Sequence, residues 1–136
     1  MFEKIKNSIG VMDNTVSEVF RKIKVRTPNL KGYNMTQAVD YIELGMVDEA
    51  YNRLKIIIKL WPDDDYAKYL MGLLCIFIRD NKKALKFFGD IKDFRNDQVK
   101  RLVKVIEANR VEKIIERYRS TLNLYEIENE IQKIEI

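Results

Sequence analysis

Two stretches of the sequence, residues 38–57 (AVDYIELGMVDEAYNRLKII) and residues 72–91 (GLLCIFIRDNKKALKFFGDI), decide the fold. They lie 34 positions apart, and at this offset small residues align with small ones and large apolar residues with large apolar ones. The aligned pairs are Ala38 with Gly72, Val39 with Leu73, Ile42 with Ile76, Ala50 with Ala84, Leu54 with Phe88 and Ile57 with Ile91. A unit that recurs in this way predicts a helical-repeat architecture.

Each copy has the pattern of two helices joined by a tight turn. In the first copy, apolar residues recur every three or four positions on both sides of Gly45, which interrupts the helix. Pro62 ends the second helix because its ring removes a hydrogen-bond donor. The three aspartates at residues 63–65 are suited to cap the helix that follows. In the second copy, Asp80 and Asn81 occupy the turn.

The pattern resembles the tetratricopeptide repeat family. That family's motif has a small residue, an aromatic, a glycine, an alanine, a large apolar residue and a proline at fixed positions, and a repeat counted from Lys31 offers Ala38, Tyr41, Gly45, Ala50, Leu54 and Pro62 there. A repeat counted from Asp65 offers Gly72, Cys75, Arg79, Ala84, Phe88 and Asn96, so the aromatic, the turn glycine and the proline are missing. Where the motif usually has a tryptophan, the two repeats have Asn34 and Lys68, and where it has a later alanine, they have Ile57 and Ile91. The resemblance implies an all-α fold, in which antiparallel helical hairpins stack as a short superhelix.

The rest of the chain predicts helical caps around these repeats. We expect one domain over residues 1–136, with a helical flank over 1–30, two repeats over 31–98 and capping helices over 99–136. A third repeat counted from Val99 fails its register, so residues 99–119 are expected to form one helix or a helical pair that acts as a cap. The final segment has apolar residues at three- and four-residue spacing opposite an acidic face, which predicts an amphipathic helix: Leu124, Ile127, Ile131 and Ile134.

Composition limits the sites that the chain can hold. There is no histidine and only one cysteine, which excludes histidine-based triads, histidine zinc ligands and thiolate cages. The aspartates at residues 63–65 stand at a helix start, so we interpret them as caps rather than as ligands of a divalent ion. The glycines are too scattered for a phosphate-binding loop. These observations predict no metal, no cofactor and no enzymatic activity.

The location is predicted from the apolar runs and from cysteine usage. The longest apolar run, from Leu70 to Ile78, is far shorter than the roughly 18 residues that a membrane span needs. Cys75 lies within this run, and a single cysteine cannot form an internal disulfide. We therefore expect a cytoplasmic protein in which Cys75 is an inert core residue.

The resemblance also implies a concave groove formed by the first helix of each repeat. The groove positions of the family's motif correspond to Gly32, Met35, Val39, Ile42 and Glu43 in the first repeat and to Tyr66, Tyr69, Leu73, Ile76 and Phe77 in the second. Such an apolar, aromatic groove has to be covered, because large exposed apolar patches are uncommon on monomers. A helix or peptide of another protein, a second copy of the chain, or the chain's own last helix would each serve. The predicted function is protein–protein interaction, as an adaptor or small chaperone.

A basic region offers a second function from a different class. Residues 82–119 carry twelve Lys or Arg against six acidic residues, and Lys100, Arg101 and Lys104 are its candidate polyanion surface. Acidic residues are interleaved at spacings that allow ion pairs along a helix. This alternation favours a solvated helix face over a nucleic-acid surface.

Overall fold

The computed structural model describes residues 30–118 and 123–135, and every regular element among them is an α-helix. The helices are α1 (Leu30–Glu43), α2 (Val47–Leu60), α3 (Asp65–Phe77), α4 (Asn81–Gly89), α5 (Asn96–Glu107), α6 (Glu112–Arg117) and α7 (Leu124–Gln132). The prediction of an all-α fold is confirmed for this part of the chain. The helical flank predicted over residues 1–30 lies, apart from Leu30, outside the described residues.

Helices α1 and α2 form a hairpin that turns at Gly45. This residue has φ of +73°, a left-handed conformation that glycine adopts without steric cost. The Gly45 N–H donates to the Ile42 carbonyl and the Met46 N–H donates to the Tyr41 carbonyl, at 3.0 and 2.8 Å, so the end of α1 keeps its hydrogen bonds. Arg53 of α2 reaches back to the Asn34 side chain at 2.7 Å, which shows that the two helices run antiparallel.

Helices α3 and α4 repeat this arrangement, with Arg79 in place of the turn glycine. Arg79 has φ of +64° and makes the same pattern of backbone bonds, from its own N–H to Ile76 and from the Asp80 N–H to Cys75. Deeper in the hairpin, Gly72 lies directly against the ring of Phe88, since a Cβ placed on Gly72 would stand 2.5 Å from the ring. The missing side chain therefore sets how closely α3 approaches α4.

Residues 96–117 form two helices, α5 and α6, rather than one long helix, and α7 packs against both of them. The turn centres on Asn109, with φ of +56° and bonds from its N–H to Ile106 and from the Arg110 N–H to Val105. Arg79 follows Gly45 by 34 residues, whereas Asn109 follows Arg79 by only 30. The third turn thus has the backbone geometry of the first two but falls outside their spacing.

The aspartates at residues 63–65 are used within the fold. Asp64 is the N-cap of α3 and accepts a hydrogen bond from the Ala67 N–H at 2.9 Å. It also pairs with Lys31 at 2.7 Å, which links the start of α3 to the start of α1. Asp65 accepts from the backbone N–H groups of Lys92 and Asp93. In the described ranges, no group of acidic or cysteine side chains is arranged to hold a metal ion.

The last helix, α7, packs against α3, α5 and α6. It does so through Leu124, Ile127 and Ile131, which are all buried, and this agrees with the amphipathic period of the segment. Together with apolar side chains from the other six helices, they belong to a single core cluster. Residues 30–118 and 123–135 contain no helix long and apolar enough to cross a membrane.

Candidate partner-binding groove

The groove residues predicted from the sequence differ in how far they are covered. Tyr69, Leu73 and Ile76 of the second repeat are fully buried, and Ile42 of the first repeat is nearly so. Three others, Met35, Val39 and Phe77, are half-buried, whereas Gly32, Glu43 and Tyr66 are exposed. The predicted face is thus closed mainly in its second repeat and more open in its first.

The chain's own last helix provides part of this cover. Leu124 and Glu128 of α7 line the same pocket as Tyr69 and Leu73 of α3, so α7 lies along the second-repeat side of the groove. Among the three occupants considered from the sequence, the terminal helix therefore takes up part of the groove. It does not fill it, because a pocket of about 270 Å³ remains between α1, α3 and α7.

This pocket, called the groove pocket below, has an apolar floor and a polar mouth. Its residues are Val39, Ile42, Glu43, Tyr66, Tyr69, Leu70, Leu73, Arg95, Asn123, Leu124, Tyr125 and Glu128. Six of them had been predicted as groove positions: Val39, Ile42, Glu43, Tyr66, Tyr69 and Leu73. Of the other predicted positions, Gly32, Met35, Ile76 and Phe77 lie outside the pocket.

Arg95 lies at the polar side of the groove pocket and is held there by several contacts. Its guanidinium stands 3.4 Å from the Glu128 carboxylate and 5.3 Å from the centre of the Tyr69 ring. The Phe94 ring lies at a similar distance, 5.2 Å. Arg95 has φ of +46°, an uncommon backbone conformation for a residue with a side chain, at the start of α5. These contacts hold the Arg95 side chain in the wall of the pocket.

The Tyr69 hydroxyl is the most deeply placed polar group of the groove pocket. The residue is only 1% exposed, and its hydroxyl makes no hydrogen bond of normal geometry within the described part of the chain. Burial, together with the nearby Glu128 carboxylate, raises the pKa of Tyr69 well above its ordinary value of 10.0. Tyr69 is therefore a neutral phenol at physiological pH, and its hydroxyl lies close to the Glu128 carboxylate and the Arg95 guanidinium.

Two further tyrosines stand at the mouth of the groove pocket. Tyr66 is 38% exposed and packs against Phe94, with ring centres 5.5 Å apart. Burial and the proximity of Tyr125 raise the pKa of Tyr66. Tyr125 lines the same pocket and is 79% exposed. The mouth thus presents aromatic surface to solvent.

Sequence reasoning missed the residues that close the groove pocket from outside the two repeats. Leu124 was identified as part of an amphipathic helix, but nothing in that period shows which face of the repeats it meets. Arg95 and Glu128 come together from segments 33 residues apart. The one signal available was charge, because the acidic tail follows a basic block.

The candidate polyanion surface is assembled, but one of its residues is already engaged. Lys100, Arg101 and Lys104 surround a shallow depression together with Asp97. Arg101 donates a hydrogen bond to the Ile134 carbonyl at 2.5 Å. The basic block also holds the tail through Arg110, which donates to the Glu135 carbonyl, and through Arg117, 2.6 Å from Glu130. Three arginines of the basic region thus bind the chain's own C-terminal segment.

Cys75 is fully buried in α3 and does not reach the groove pocket. Burial raises the pKa of its thiol to about 11, and the nearby Asp80 carboxylate adds to this effect. The thiol is therefore protonated at neutral pH and is a poor nucleophile.

Comparisons with known proteins identify no relative from which a ligand or a residue's role could be taken. No protein-family model, curated protein or solved structure matches this chain. The function of the groove pocket therefore has to be inferred from its own shape, charges and chemistry.

Proposed function

We propose that the chain is a tetratricopeptide-type helical-repeat protein and that it binds a helix or peptide of another protein as an adaptor or small chaperone. The observation that carries the proposal is the groove pocket, in which predicted groove residues from both repeats meet a wall formed by α7. The similar turns at Gly45 and Arg79, each of which joins two helices that pack on each other, also favour a stack of helical hairpins. In this proposal the superhelix is short, and α5, α6 and α7 cap its C-terminal end.

The chemistry of the pocket favours binding over catalysis. Val39, Ile42 and Leu70 offer an apolar floor on which a partner's side chains can be desolvated. The pocket's two tyrosines with raised pKa, Tyr66 and Tyr69, stay protonated at neutral pH, so neither supplies a base or nucleophile there. A pocket with a few polar groups at its mouth and apolar side chains below is typical of helix-in-groove recognition.

Nucleic-acid binding through residues 82–119 is the weaker candidate. Arg101, Arg110 and Arg117 contact the C-terminal segment, so a polyanion would have to compete with intramolecular bonds. A salt titration separates the two functions, because polyanion binding weakens steeply with salt whereas burial of apolar surface changes little.

The proposal is tested by selecting peptides from a random library on the full chain. Selected peptides are then measured by fluorescence anisotropy against the wild type and Val39→Trp, whose large side chain fills the groove pocket. We expect Val39→Trp to abolish their binding. The matched control is Thr36→Trp, which places the same side chain on an exposed position of α1 outside the pocket.

The unfolding transition of both variants, followed by circular dichroism, verifies that they are folded. If the selected peptides bind Val39→Trp as tightly as the wild type, or if selection enriches no peptide, the groove pocket is not a partner site and the proposal is wrong.

A further inference from the structure

The walls of the groove pocket carry an excess of negative charge. Of the three glutamates of α7, only Glu128 lines the groove pocket, whereas Glu130 is paired with Arg117 outside it. Helix α1 contains Asp40 and Glu43 against Lys31, and Lys31 is paired with Asp64. Two carboxylates, Glu43 and Glu128, therefore line the groove pocket, against one basic side chain, Arg95.

Arg95 does not neutralise both of these carboxylates. It is the one basic side chain among the described residues that line the groove pocket, and it is bonded to Glu128. Glu43 is exposed and makes no ion pair with any residue in the described ranges. The mouth on the α1 side is therefore anionic and free to pair with a cation.

The aromatic groups of the groove pocket favour the same kind of ligand. The exposed rings of Tyr66 and Tyr125 carry negative potential on their faces, which attracts ammonium and guanidinium groups. Arg95 already stacks on Tyr69 in this way from within the chain. Below them, the Tyr69 hydroxyl is buried beside Glu128 and Arg95, so the exposed rings and Glu43 are the groups that an incoming cation can reach.

We propose that the partner is a cationic amphipathic helix, which inserts a Lys or Arg side chain between Glu43 and the rings of Tyr66 and Tyr125. This inference rests on the function proposed above and specifies the chemistry of its partner. The apolar face of the helix covers Val39, Ile42 and Leu70, so apolar burial supplies affinity and the cation supplies selectivity. An acidic helix is repelled by the same carboxylates.

Three synthetic amphipathic peptides test the charge requirement. They share one apolar face, and their polar faces carry Lys and Arg, Gln, or Glu. Fluorescence anisotropy measures their affinity for the full chain at low and at physiological salt. We expect the cationic peptide to bind about tenfold more tightly than the glutamine peptide, and the glutamate peptide to bind most weakly. The advantage of the cationic peptide should shrink as salt rises.

Glu43→Gln locates the effect at the groove pocket. It should weaken binding of the cationic peptide by about threefold and leave the glutamine peptide unchanged. Glu107→Gln removes the same charge from an exposed position at the end of α5, outside the pocket, and should change neither affinity. Val39→Trp should abolish binding of both peptides.

Each contrary result has its own meaning. If the glutamine or glutamate peptide binds as tightly as the cationic one, the inference is wrong while the proposed function stands. Cationic binding that survives Val39→Trp would mean general attraction to the acidic surface, and it overturns the inference as well. If no peptide binds and the chain instead dimerises in a way that Val39→Trp abolishes, a second copy occupies the groove pocket and the inference is wrong.

Discussion

Replacing Gly72 with alanine gives the most direct test of how α3 and α4 pack. A Cβ on Gly72 would lie 2.5, 2.6 and 2.9 Å from three atoms of the Phe88 ring. Ordinary contact between such carbons is about 3.5–4.0 Å, so the methyl group overlaps the ring by about 1 Å. The ring cannot turn away into solvent, because Phe88 is 1% exposed and packs edge-on against Tyr69.

The expected change in stability follows from two opposing effects. Forcing an extra methyl group into a packed core costs about 2 kcal/mol, the middle of the usual range. Alanine in a helix interior is favoured over glycine by about 1 kcal/mol. Gly72→Ala should therefore lower the free energy of unfolding by about 1 kcal/mol. Replacing the Phe88 ring by the smaller leucine side chain makes room for the methyl group. In the double variant, alanine should therefore stabilise the chain by about 1 kcal/mol relative to Phe88→Leu alone.

Urea unfolding followed by circular dichroism measures all three variants against the wild type, as a double-mutant cycle. The matched control is Gly32→Ala, at an exposed position of α1 where no atom lies within 4 Å of the new Cβ. Only the favourable helix preference should appear there. If Gly72→Ala stabilises the chain as Gly32→Ala does, and its change in the free energy of unfolding adds to that of Phe88→Leu, then Gly72 does not lie directly against Phe88.

Two further predictions concern the turns and the buried thiol. Gly45→Ala should destabilise the chain by about 1 kcal/mol in urea unfolding, because the left-handed backbone, and not a steric contact, limits this position. Arg79→Gly should relieve a similar strain and stabilise the chain. If Gly45→Ala has the same effect as Gly32→Ala, this reasoning is wrong. Folding raises the pKa of Cys75 from 9.0 to about 11, so below pH 9 the thiol is protonated in both the folded and the unfolded chain. Between pH 9 and pH 11 only the unfolded chain ionises readily. The wild type should therefore lose about 2 kcal/mol of its free energy of unfolding relative to Cys75→Ala over this range. If the free energies of unfolding of the wild type and of Cys75→Ala change with pH in the same way, the raised pKa of the thiol does not cause the loss.

The first two hairpins were predictable because their spacing is regular and their small residues lie where helices meet. Ala38, Ala50, Gly72 and Ala84 were identified from the repeat, and those with side chains are fully buried. The position of the turn between α5 and α6 could not be predicted in the same way. This turn comes four residues early, and Asn109 replaces glycine in the left-handed position. A search at a fixed period of 34 residues therefore misses a turn that the backbone nonetheless forms.

Only part of the groove pocket could be predicted. Val39, Ile42, Tyr66, Tyr69 and Leu73 were predicted because they stand at the groove positions of the motif that the two repeats resemble. The residues that complete the pocket come from outside the repeats, and their arrival depends on how a distant helix docks. Periodicity identifies an apolar face on such a helix but does not determine what that face packs against.

Charge favours the observed docking of α7, which periodicity alone does not determine. The basic block over residues 82–119 is followed by an acidic tail, and the structure pairs the two through Arg95 with Glu128 and Arg117 with Glu130. Surface ion pairs contribute little stability, but they disfavour docking modes that bring like charges together. When α7 is docked so that both ion pairs form, Glu128 lies in the groove. Glu43 on α1 remains unpaired among the described residues. The same charge pattern that docks α7 thus leaves an acidic opening beside it, which is why a cationic partner is the ligand to test first.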